Sequence, residues 1–226
     1  MAQTAMARNL ERVREHPSAV LLASQLVAVL VYPFLFDSWQ GRAVLGVFGM
    51  IVVALALWAV RRTGVLYVVA LALGLPALVF TVLDAAFPDS DWIVLTNALL
   101  HAPFYFYVSY AMIKYLFHDE RVTPDELYAT GAAFTVVAWG FAYVFMAVEV
   151  LAPGSFVTPG AQGDPSRWFE LLYLSFTTLT SVGLSDVAPV LAHARSVVMI
   201  EQLAGVMYVA LVVARLVGLT IHRANR

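Results

Sequence analysis

Six long apolar stretches run through this chain, and each is close to the length that a lipid bilayer demands. A transmembrane helix needs about 20 mostly apolar residues. The stretches lie at about 18–36, 42–60, 65–86, 92–117, 126–151 and 187–221. Since 62% of the residues are hydrophobic and only 12% are charged, a soluble globular domain is excluded. The sequence therefore predicts an all-α membrane protein with six transmembrane helices.

The basic residues divide unequally between the two sides of these predicted spans. If the N-terminus is cytoplasmic, the outer loops hold only Arg42, Arg167 and Arg195. The inner side then holds Arg8, Arg12, Arg14, Arg61, Arg62, Lys114, Arg121, Arg223 and Arg226. Basic residues collect on the cytoplasmic side of membrane proteins. We therefore expect a multi-pass protein of the cell membrane (the inner or plasma membrane) with both termini in the cytoplasm.

The segment between the fifth and sixth stretches does not fit the pattern of plain spans. Its apolar part, residues 168–179, is too short to cross a bilayer. A run of hydroxyl residues and glycine follows over residues 177–186. Irregular backbone at membrane depth survives only inside protein or beside water, because each unsatisfied amide or carbonyl in lipid costs several kcal/mol. We predict a re-entrant helix, an extended return and a water-filled path.

The predicted re-entrant helix carries ordinary start signals. Asp164 is a competent N-cap, and Pro165 suits the first helical position. The helix would end near Thr178, where the negative end of its dipole would favour a cation.

Residues 177–189 resemble the pore loop of the tetrameric potassium-channel family, whose consensus reads T-x-T-T-V-G-Y-G-D. The positions that agree are Thr178, Thr180, Val182, Gly183 and Asp186. The positions that depart are Ser181, in place of a threonine, and Leu184 and Ser185, in place of the Y-G pair. Residues 168–173 resemble the aromatic pore helix of the family, and residues 194–216 resemble its inner helix. The resemblance implies a six-span member of bacterial type, with a four-helix domain at 1–124 and a pore domain at 125–226.

The resemblance also implies an ion pathway shared by four chains. One re-entrant segment cannot enclose an ion column, so we expect a homotetramer with the pathway on its symmetry axis. Rings of backbone carbonyls replace the hydration shell of K⁺ in such channels. The expected ion ligands are the carbonyls of Ser181, Val182, Gly183, Leu184 and Ser185, with the Ser181 hydroxyl, and the K⁺ sites fall at Ser181, Val182, Gly183 and Leu184.

Other residues receive supporting roles from the same comparison. Thr178, Thr180 and Asp186 are expected to support the filter and its outer mouth. Glu201, a carboxyl group within the last span, is expected to support the filter from behind, with a permeation site as the alternative. Gly205 is expected to be either the hinge of the inner helix or a site of close packing between helices. Ser185 occupies a position where the family has glycine, which predicts a strained positive φ there. Leu184 lacks the tyrosine hydroxyl that ties the family's filter to the pore helix. These departures keep open a weakly selective or non-conducting pore-loop subunit.

The first four spans offer few chemical groups. Voltage sensing needs several arginines in one span, and the fourth span has no basic residue before Lys114. Asp84 and His101 lie at similar depth, within reach of pairing, and histidine can titrate near neutral pH, so they form either a candidate pH-sensing pair or a hydrogen-bonded packing cluster. An intramembrane enzyme or proton-coupled transporter using Asp84, His101 and Glu149 remains the alternative from another class, although no catalytic motif supports it.

Few other partners are expected. The net charge of −2 gives no sign of nucleic acid, and membrane lipids surround the spans. No cofactor is required beyond the permeant K⁺ ions. The spans and their short loops occupy the chain, so we expect no cytosolic ligand-binding domain.

Overall fold

The computed structural model describes residues 16–35, 65–117, 124–157 and 167–224, together with residues 41, 44, 48, 49, 51, 52 and 55. These parts include the helices α1 (Pro17–Leu35), α2 (Val65–Ala86), α3 (Asp91–Leu116), α4 (Pro124–Leu151), α5 (Arg167–Leu179) and α6 (Ala192–Ala224). Two short strands, β1 (Phe156–Val157) and β2 (Ala188–Pro189), pair antiparallel.

Four stretches of helix are long and apolar enough to cross a membrane: Pro17–Leu35, Val68–Ala86, Asp125–Leu151 and Ala192–Arg215. They correspond to the predicted first, third, fifth and sixth spans. The predicted fourth span is α3, a helix of 26 residues that is less apolar because it contains Asn97, His101 and Ser109. The predicted second span, 42–60, lies mostly outside the described residues. The prediction of a helical membrane protein is confirmed, and the count of six spans stays a prediction.

The start of the last span differs from the prediction. The apolar pattern places it at Val187, whereas α6 begins at Ala192. Residues just before α6 form β2, in which Pro189 pairs with Phe156 of β1. The Val190 N–H also donates to the Ser155 carbonyl (2.9 Å). An apolar run shows hydrophobicity but not long-range pairing, so the sequence pattern extended the helix too far.

Helix α4 lies at the centre of the fold, in contact with α1, α3, α5 and α6. Helix α1 runs parallel to it. The Ser18 N–H and hydroxyl donate to the two Asp125 carboxylate oxygens (3.2 and 3.1 Å), and one turn further on Leu22 packs against Gly131. The first amides of a helix have no acceptor within the helix. Asp125 therefore caps α1 from the neighbouring helix.

Helices α2 and α3 form an antiparallel hairpin, and α3 is antiparallel to α4. In the hairpin, the Phe80 ring lies edge-on to the Trp92 ring, with centroids 6.3 Å apart. Between α3 and α4, the Ser109 hydroxyl donates to the Ala133 carbonyl (3.3 Å). Further along, Phe106 covers Gly140, where an added Cβ would lie 3.0 Å from the ring. It follows that α1, α2 and α4 all run in the same direction.

Helix α6 packs antiparallel to α4 and reaches the end of α3. The Arg215 guanidinium pairs with the Glu126 carboxylate (3.2 Å) and lies over the Phe117 ring, 5.0 Å from its centroid. Two turns earlier on α6, the Tyr208 hydroxyl donates to the Thr130 carbonyl (2.6 Å). One end of α6 is therefore bound to the start of α4, and its other end is left to contact α5.

The cap between α4 and α1 gives a first prediction. Asp125→Ala removes both acceptors of Ser18 and leaves a helix-start amide buried without a partner. We expect the free energy of unfolding to fall by about 1 to 2 kcal/mol. The measurement is the thermal unfolding midpoint of the purified protein in detergent.

The matched control is Asp89→Ala, because Asp89 is exposed in the turn between α2 and α3. Its midpoint should stay at the parent value. Equal midpoints for the Asp125 variant and the parent would mean that the cap does not stabilise the fold.

Candidate functional site

Helix α5 is the predicted re-entrant helix, and the protein encloses it. Its 13 residues give a length of about 20 Å, shorter than the hydrocarbon core of about 30 Å. Trp168, in its first turn, lies edge-on to Trp139 of α4, with ring centroids 5.5 Å apart. The predicted start signals, Asp164 and Pro165, lie outside the described residues. The buried residues of the helix are Leu171, Leu172, Leu174, Ser175, Thr177, Thr178 and Leu179.

A tight cap closes the buried end of α5. Ser181 takes a left-handed conformation, with φ of 60°, and its N–H donates to the Thr178 carbonyl (3.0 Å). The Gly183 N–H donates to the Thr177 carbonyl (3.0 Å), and Gly183 also has a positive φ of 67°. A left-handed residue just past the helix, with amides returned to the last-turn carbonyls, resembles a Schellman cap. The hydroxyl-rich sequence therefore ends the helix and satisfies carbonyls that would otherwise be orphaned.

The prediction that the backbone is strained at Ser185 is wrong. Ser185 was expected to need a positive φ, but in the described chain the non-glycine residue with a positive φ is Ser181. The Ser185 N–H donates to the Gly183 carbonyl (3.2 Å), and its hydroxyl oxygen accepts the Val187 N–H (3.1 Å). These local bonds hold Ser185 in an ordinary conformation. The strain, on the order of 1 kcal/mol, lies instead at the helix cap.

A tyrosine of α5 ties down the 180–186 segment, which contains the predicted filter. The Tyr173 hydroxyl donates to the Leu184 carbonyl (2.7 Å). The sequence comparison suggested that replacing the family's tyrosine by Leu184 would remove such a tie. In this protein the hydroxyl belongs to Tyr173 of α5, and the acceptor is the Leu184 carbonyl of the 180–186 segment. A hydrogen bond between helix and segment is therefore present, with donor and acceptor exchanged. The side chains of Val182 and Leu184 point away from the protein and are 67% and 72% exposed.

One hydroxyl joins α4, α5 and α6 behind this segment. Ser175 of α5 lies within hydrogen-bond distance of the Ala138 carbonyl of α4 (2.8 Å) and of the Glu201 carboxyl group of α6. Ser175 and Glu201 are both fully buried. The sequence analysis expected Glu201 to support the filter from behind, and the structure puts it against the helix that precedes the filter.

Gly205 meets the end of α5 one turn below Glu201. A Cβ added at Gly205 would collide with the backbone carbonyl of Leu179, the last residue of α5. The two contacts are in register, because Ser175 and Leu179 are one turn apart on α5, as Glu201 and Gly205 are on α6. Gly205 therefore lets α6 touch the backbone of α5. Its expected role as a hinge stays a prediction.

A carboxylate near the C-terminal end of α4 binds the loop between α4 and α5 and the first residue of α5. Glu149 is 3% exposed and pairs with Arg167, the first residue of α5. Its two oxygens also accept the N–H groups of Gly154 (2.6 Å) and Phe156 (2.9 Å). Since Phe156 belongs to β1, which pairs with β2, Glu149 holds the strand that follows the predicted filter. The sequence analysis gave Glu149 no role in the channel.

The remaining predicted filter residues lie around the end of α5. Thr178 is buried in its last turn. The Thr180 hydroxyl donates to the Phe176 carbonyl (2.6 Å), so it serves the helix end. Asp186 is exposed, and no described residue bonds to its carboxylate. The outer-mouth role of Asp186 stays a prediction.

Asp84 and His101 lie in one cluster but do not bond to each other. The Asn97 amide donates to the Asp84 carboxylate (3.0 Å), and the His101 Nδ1 donates to the Asn97 backbone carbonyl (2.9 Å). The His101 Nε2 lies 3.2 Å from the Thr81 hydroxyl. A direct bond between Asp84 and His101 is therefore not formed, because Asn97, one turn before His101 on α3, lies between them, and the two groups belong to a hydrogen-bonded packing cluster. The pH-sensing role stays a prediction.

The polar cluster is connected to α5 through aromatic rings. His101 stacks on Tyr143 of α4, with centroids 4.5 Å apart, and Tyr143 contacts Trp168 of α5 at 5.7 Å. Glu149, in contrast, is held at the outer loop by Arg167 and two amides. The three residues of the enzyme or transporter alternative are thus not brought into one site.

Tyr173 and Ser175 are the functional candidates that the sequence analysis missed. Ser175 is a hydroxyl residue inside the apolar part of α5, and Tyr173 is two positions before it. A polar atom in a membrane-buried helix needs a partner, and that rule could have marked Ser175. Nothing in the sequence signals that the Tyr173 hydroxyl reaches Leu184.

Comparison with known proteins supports an ion channel. Residues 131–221 match the protein-family model described as "Ion channel". The match begins in α4, includes α5 and the 180–186 segment, and ends in α6. No curated protein and no solved structure matches the chain. The matched region is the one that holds the short buried helix, and it points away from an enzyme.

The contact between α5 and α6 gives a second prediction. Gly205→Ala should gain helix propensity worth about 1 kcal/mol. It should lose more, about 1 to 3 kcal/mol, because its methyl group collides with backbone that cannot turn aside. We expect a lower thermal unfolding midpoint in detergent.

Gly49→Ala is the matched control, since its added Cβ would lie 3.8 Å from the Thr81 methyl group, an ordinary contact. This variant should be as stable as the parent or more so. A midpoint at or above the parent value for Gly205→Ala would show that α6 does not pack against the Leu179 carbonyl.

Proposed function

We propose that the protein is a homotetrameric channel that conducts cations passively, with potassium as its main ion. The observation that carries the proposal is the short buried helix α5 and the 180–186 segment after it. They lie within the ion-channel match and between two helices long enough to cross the membrane. A helix that cannot cross the bilayer, followed by irregular backbone, is useful in a membrane only beside water or another polar path.

The backbone of the 180–186 segment supplies the proposed K⁺ ligands. In the described chain no hydrogen bond is donated to the carbonyls of Ser181 and Val182. The Gly183 and Leu184 carbonyls each accept one hydrogen bond, and a carbonyl oxygen has a second lone pair for an ion. Carbonyl rings can replace the hydration shell of K⁺, which is the basis of the proposed selectivity. The Ser181 hydroxyl and the Ser185 carbonyl complete the proposed set.

The exposed side chains of this region support assembly from several copies. Val182 and Leu184 project from the 180–186 segment, where lipid cannot cover them if water fills the path. Helix α6 also presents Met199, Ile200 and Leu203, each at least 60% exposed. Apolar side chains beside an aqueous path are best covered by another protein chain. Four copies around an axis would do so and would bring four filter segments together.

The helix directions support six spans. Helices α1 and α2 run in the same direction, and residues 36–64 connect them. The chain must therefore return to its starting side between them, which the predicted second span at 42–60 would do. We propose residues 1–124 as an N-terminal four-span domain and residues 125–226 as the pore domain. The excess of basic residues on one side favours cytoplasmic termini in the cell membrane.

Two gating roles belong to the same proposal. Gly205 would be the hinge of α6, between the part that Ser175 holds against α5 and the part that Tyr208 and Arg215 bind to the start of α4. Asp84 and His101 would form a pH-sensing cluster through Asn97, which reaches α5 by way of Tyr143 and Trp168. Both roles follow from contacts between the pore helices and their surroundings.

The test of the proposed function is reconstitution of the purified protein into lipid vesicles. We expect K⁺ flux down its gradient, bi-ionic reversal potentials that favour K⁺ over Na⁺, and four chains by native mass spectrometry in detergent. Equal permeability to K⁺ and Na⁺ would favour the weakly selective alternative. An absence of cation flux would favour a non-conducting subunit, and conduction by a monomer or dimer would overturn the tetramer.

The tie between Tyr173 and the filter gives a third prediction. Tyr173→Phe keeps the ring and removes the hydrogen bond to the Leu184 carbonyl. A hydrogen bond contributes about 1 kcal/mol, which corresponds to roughly a fivefold change in an equilibrium constant. We expect the K⁺ to Na⁺ permeability ratio to fall by up to this factor, as measured by bi-ionic reversal potentials.

Tyr110→Phe is the control, because Tyr110 is 56% exposed on α3, away from α5. Its permeability ratio should equal that of the parent. A parental ratio in the Tyr173 variant would mean that the tie has no part in selectivity.

A further inference from the structure

Glu201 is a buried carboxyl group with no opposite charge beside it. It is 0% exposed, and Val198 and Ala204, one turn before and after it on α6, belong to an apolar cluster that also contains Leu174. One oxygen bonds to Ser175, while the other, Oε2, has no hydrogen-bond partner among the described residues. An ionised carboxylate in this position is very costly, because burial removes its hydration and no basic side chain of the described residues pairs with it.

The hydrogen bonds of Ser175 indicate the protonation state of the Glu201 carboxyl group. A serine hydroxyl has one hydrogen to donate. Its two neighbours are the Ala138 carbonyl, which can only accept, and the Glu201 carboxyl group. Both contacts are hydrogen bonds only if Ser175 donates to Ala138 and Glu201 donates to Ser175. Glu201 can donate only as a neutral carboxylic acid.

The surroundings offer no other proton or charge that would change this conclusion. Within one helical turn of Ala138, Ser175 and Glu201, the other ionisable side chain is Tyr173 of α5, which is bonded to Leu184. The nearest ionisable group along α6 on the same face is Tyr208, two turns away and bonded to Thr130. On α4, the charged residues are at its two ends, where Glu126 pairs with Arg215 and Glu149 pairs with Arg167.

We propose that Glu201 is a proton-binding site, and that its bound proton closes a chain of hydrogen bonds from α6 through Ser175 to the Ala138 carbonyl of α4. The carboxylic acid donates to the Ser175 oxygen, and the Ser175 hydrogen goes to Ala138. The expected effect on ion selectivity rests on the proposed channel function. The existence of the proton site does not depend on that function.

Loss of the proton would reverse the bond between Glu201 and Ser175 and break the bond from Ser175 to Ala138. The carboxylate could then only accept, so the Ser175 hydrogen would turn to Glu201 and leave the Ala138 carbonyl. A negative charge would remain between α5 and α6 in an apolar core. The end of α5, which is held one turn away by Gly205 and Leu179, would lose its fixed position behind the filter. Alkaline pH should therefore reduce selectivity, and acid pH should restore it.

The experiment compares the parent protein with Glu201→Gln in lipid vesicles. Glutamine keeps the shape and an N–H that can donate to Ser175, but it has no titratable proton. In the infrared difference spectrum, parent minus variant, we expect the carbonyl stretch of a protonated carboxylic acid at neutral pH. The ratio of K⁺ to Na⁺ flux should fall reversibly in the parent as pH rises, and it should stay constant in Glu201→Gln.

Two further kinds of variant complete the test. Ser175→Ala should shift the frequency of the same carboxylic-acid band, because it removes the acceptor, and this reading holds even if Glu201→Gln fails to fold. His193→Gln should keep the parental alkaline response, since His193 is exposed at the start of α6 and does not contact Glu201.

The outcomes separate the proton site from the channel function. A carboxylate band in place of the carboxylic-acid band at neutral pH would overturn the proton site. An alkaline loss of selectivity that persists unchanged in Glu201→Gln would overturn its coupling to the filter. A carboxylic-acid band together with no cation flux at any pH would support the proton site and overturn the proposed function.

Discussion

A helix of 13 residues that lies inside a membrane protein must find partners for its ends within the protein, and the rest of this site follows from that constraint. The carbonyls of Thr177 and Thr178 accept the amides of Gly183 and Ser181, which come from the segment that leaves the helix. The Leu179 carbonyl lies against Gly205, where α6 has no side chain. The end of α5 is thus hydrogen-bonded to its own continuation on one side and packed against a neighbouring backbone on the other.

The loop after α4 also needs acceptors for its backbone amides, and a charged group supplies them. The amides of Gly154 and Phe156 need acceptors, and Glu149 supplies both while it pairs with Arg167. Because Phe156 pairs with Pro189, the strand after the 180–186 segment is fixed through this one carboxylate. Glu149 and Glu201 illustrate two ways of burying a carboxyl group. One is surrounded by donors and a cation, whereas the other has a single hydroxyl as its partner.

The sequence was sufficient to predict the features that depend on local composition. Apolar length identified α1, α2, α4 and α6 as candidate spans, and the short apolar stretch before the hydroxyl run identified α5. The same pattern extended α6 too far, because it contains no information on the pairing of Pro189 with Phe156. The positive φ was assigned to Ser185 by analogy with a glycine, whereas the bonds that decide it form at the helix cap around Ser181.

Contacts between distant residues were the least predictable part of the site. Depth in the membrane correctly brought Asp84 and His101 into one cluster, but it did not show that Asn97 separates them. Tyr173 and Ser175 were not recognised, because their partners, Leu184 and Glu201, depend on how α5 packs against its surroundings. Side-chain direction in three dimensions decides such bonds, and residue type along the chain does not.

The parallel packing of α1 against α4 has a consequence for the order in which the membrane domain is built. The hydrogen bonds from Ser18 to Asp125 join residues 107 positions apart, so the first helix is synthesised long before its partner exists. Until then the face that carries Ser18 and Gln25, which is buried in the folded chain, is in contact with lipid or with the insertion machinery. Polar residues on an isolated helix reduce its preference for the bilayer. The docking of α1 against α4 therefore waits until α4 has been synthesised and inserted.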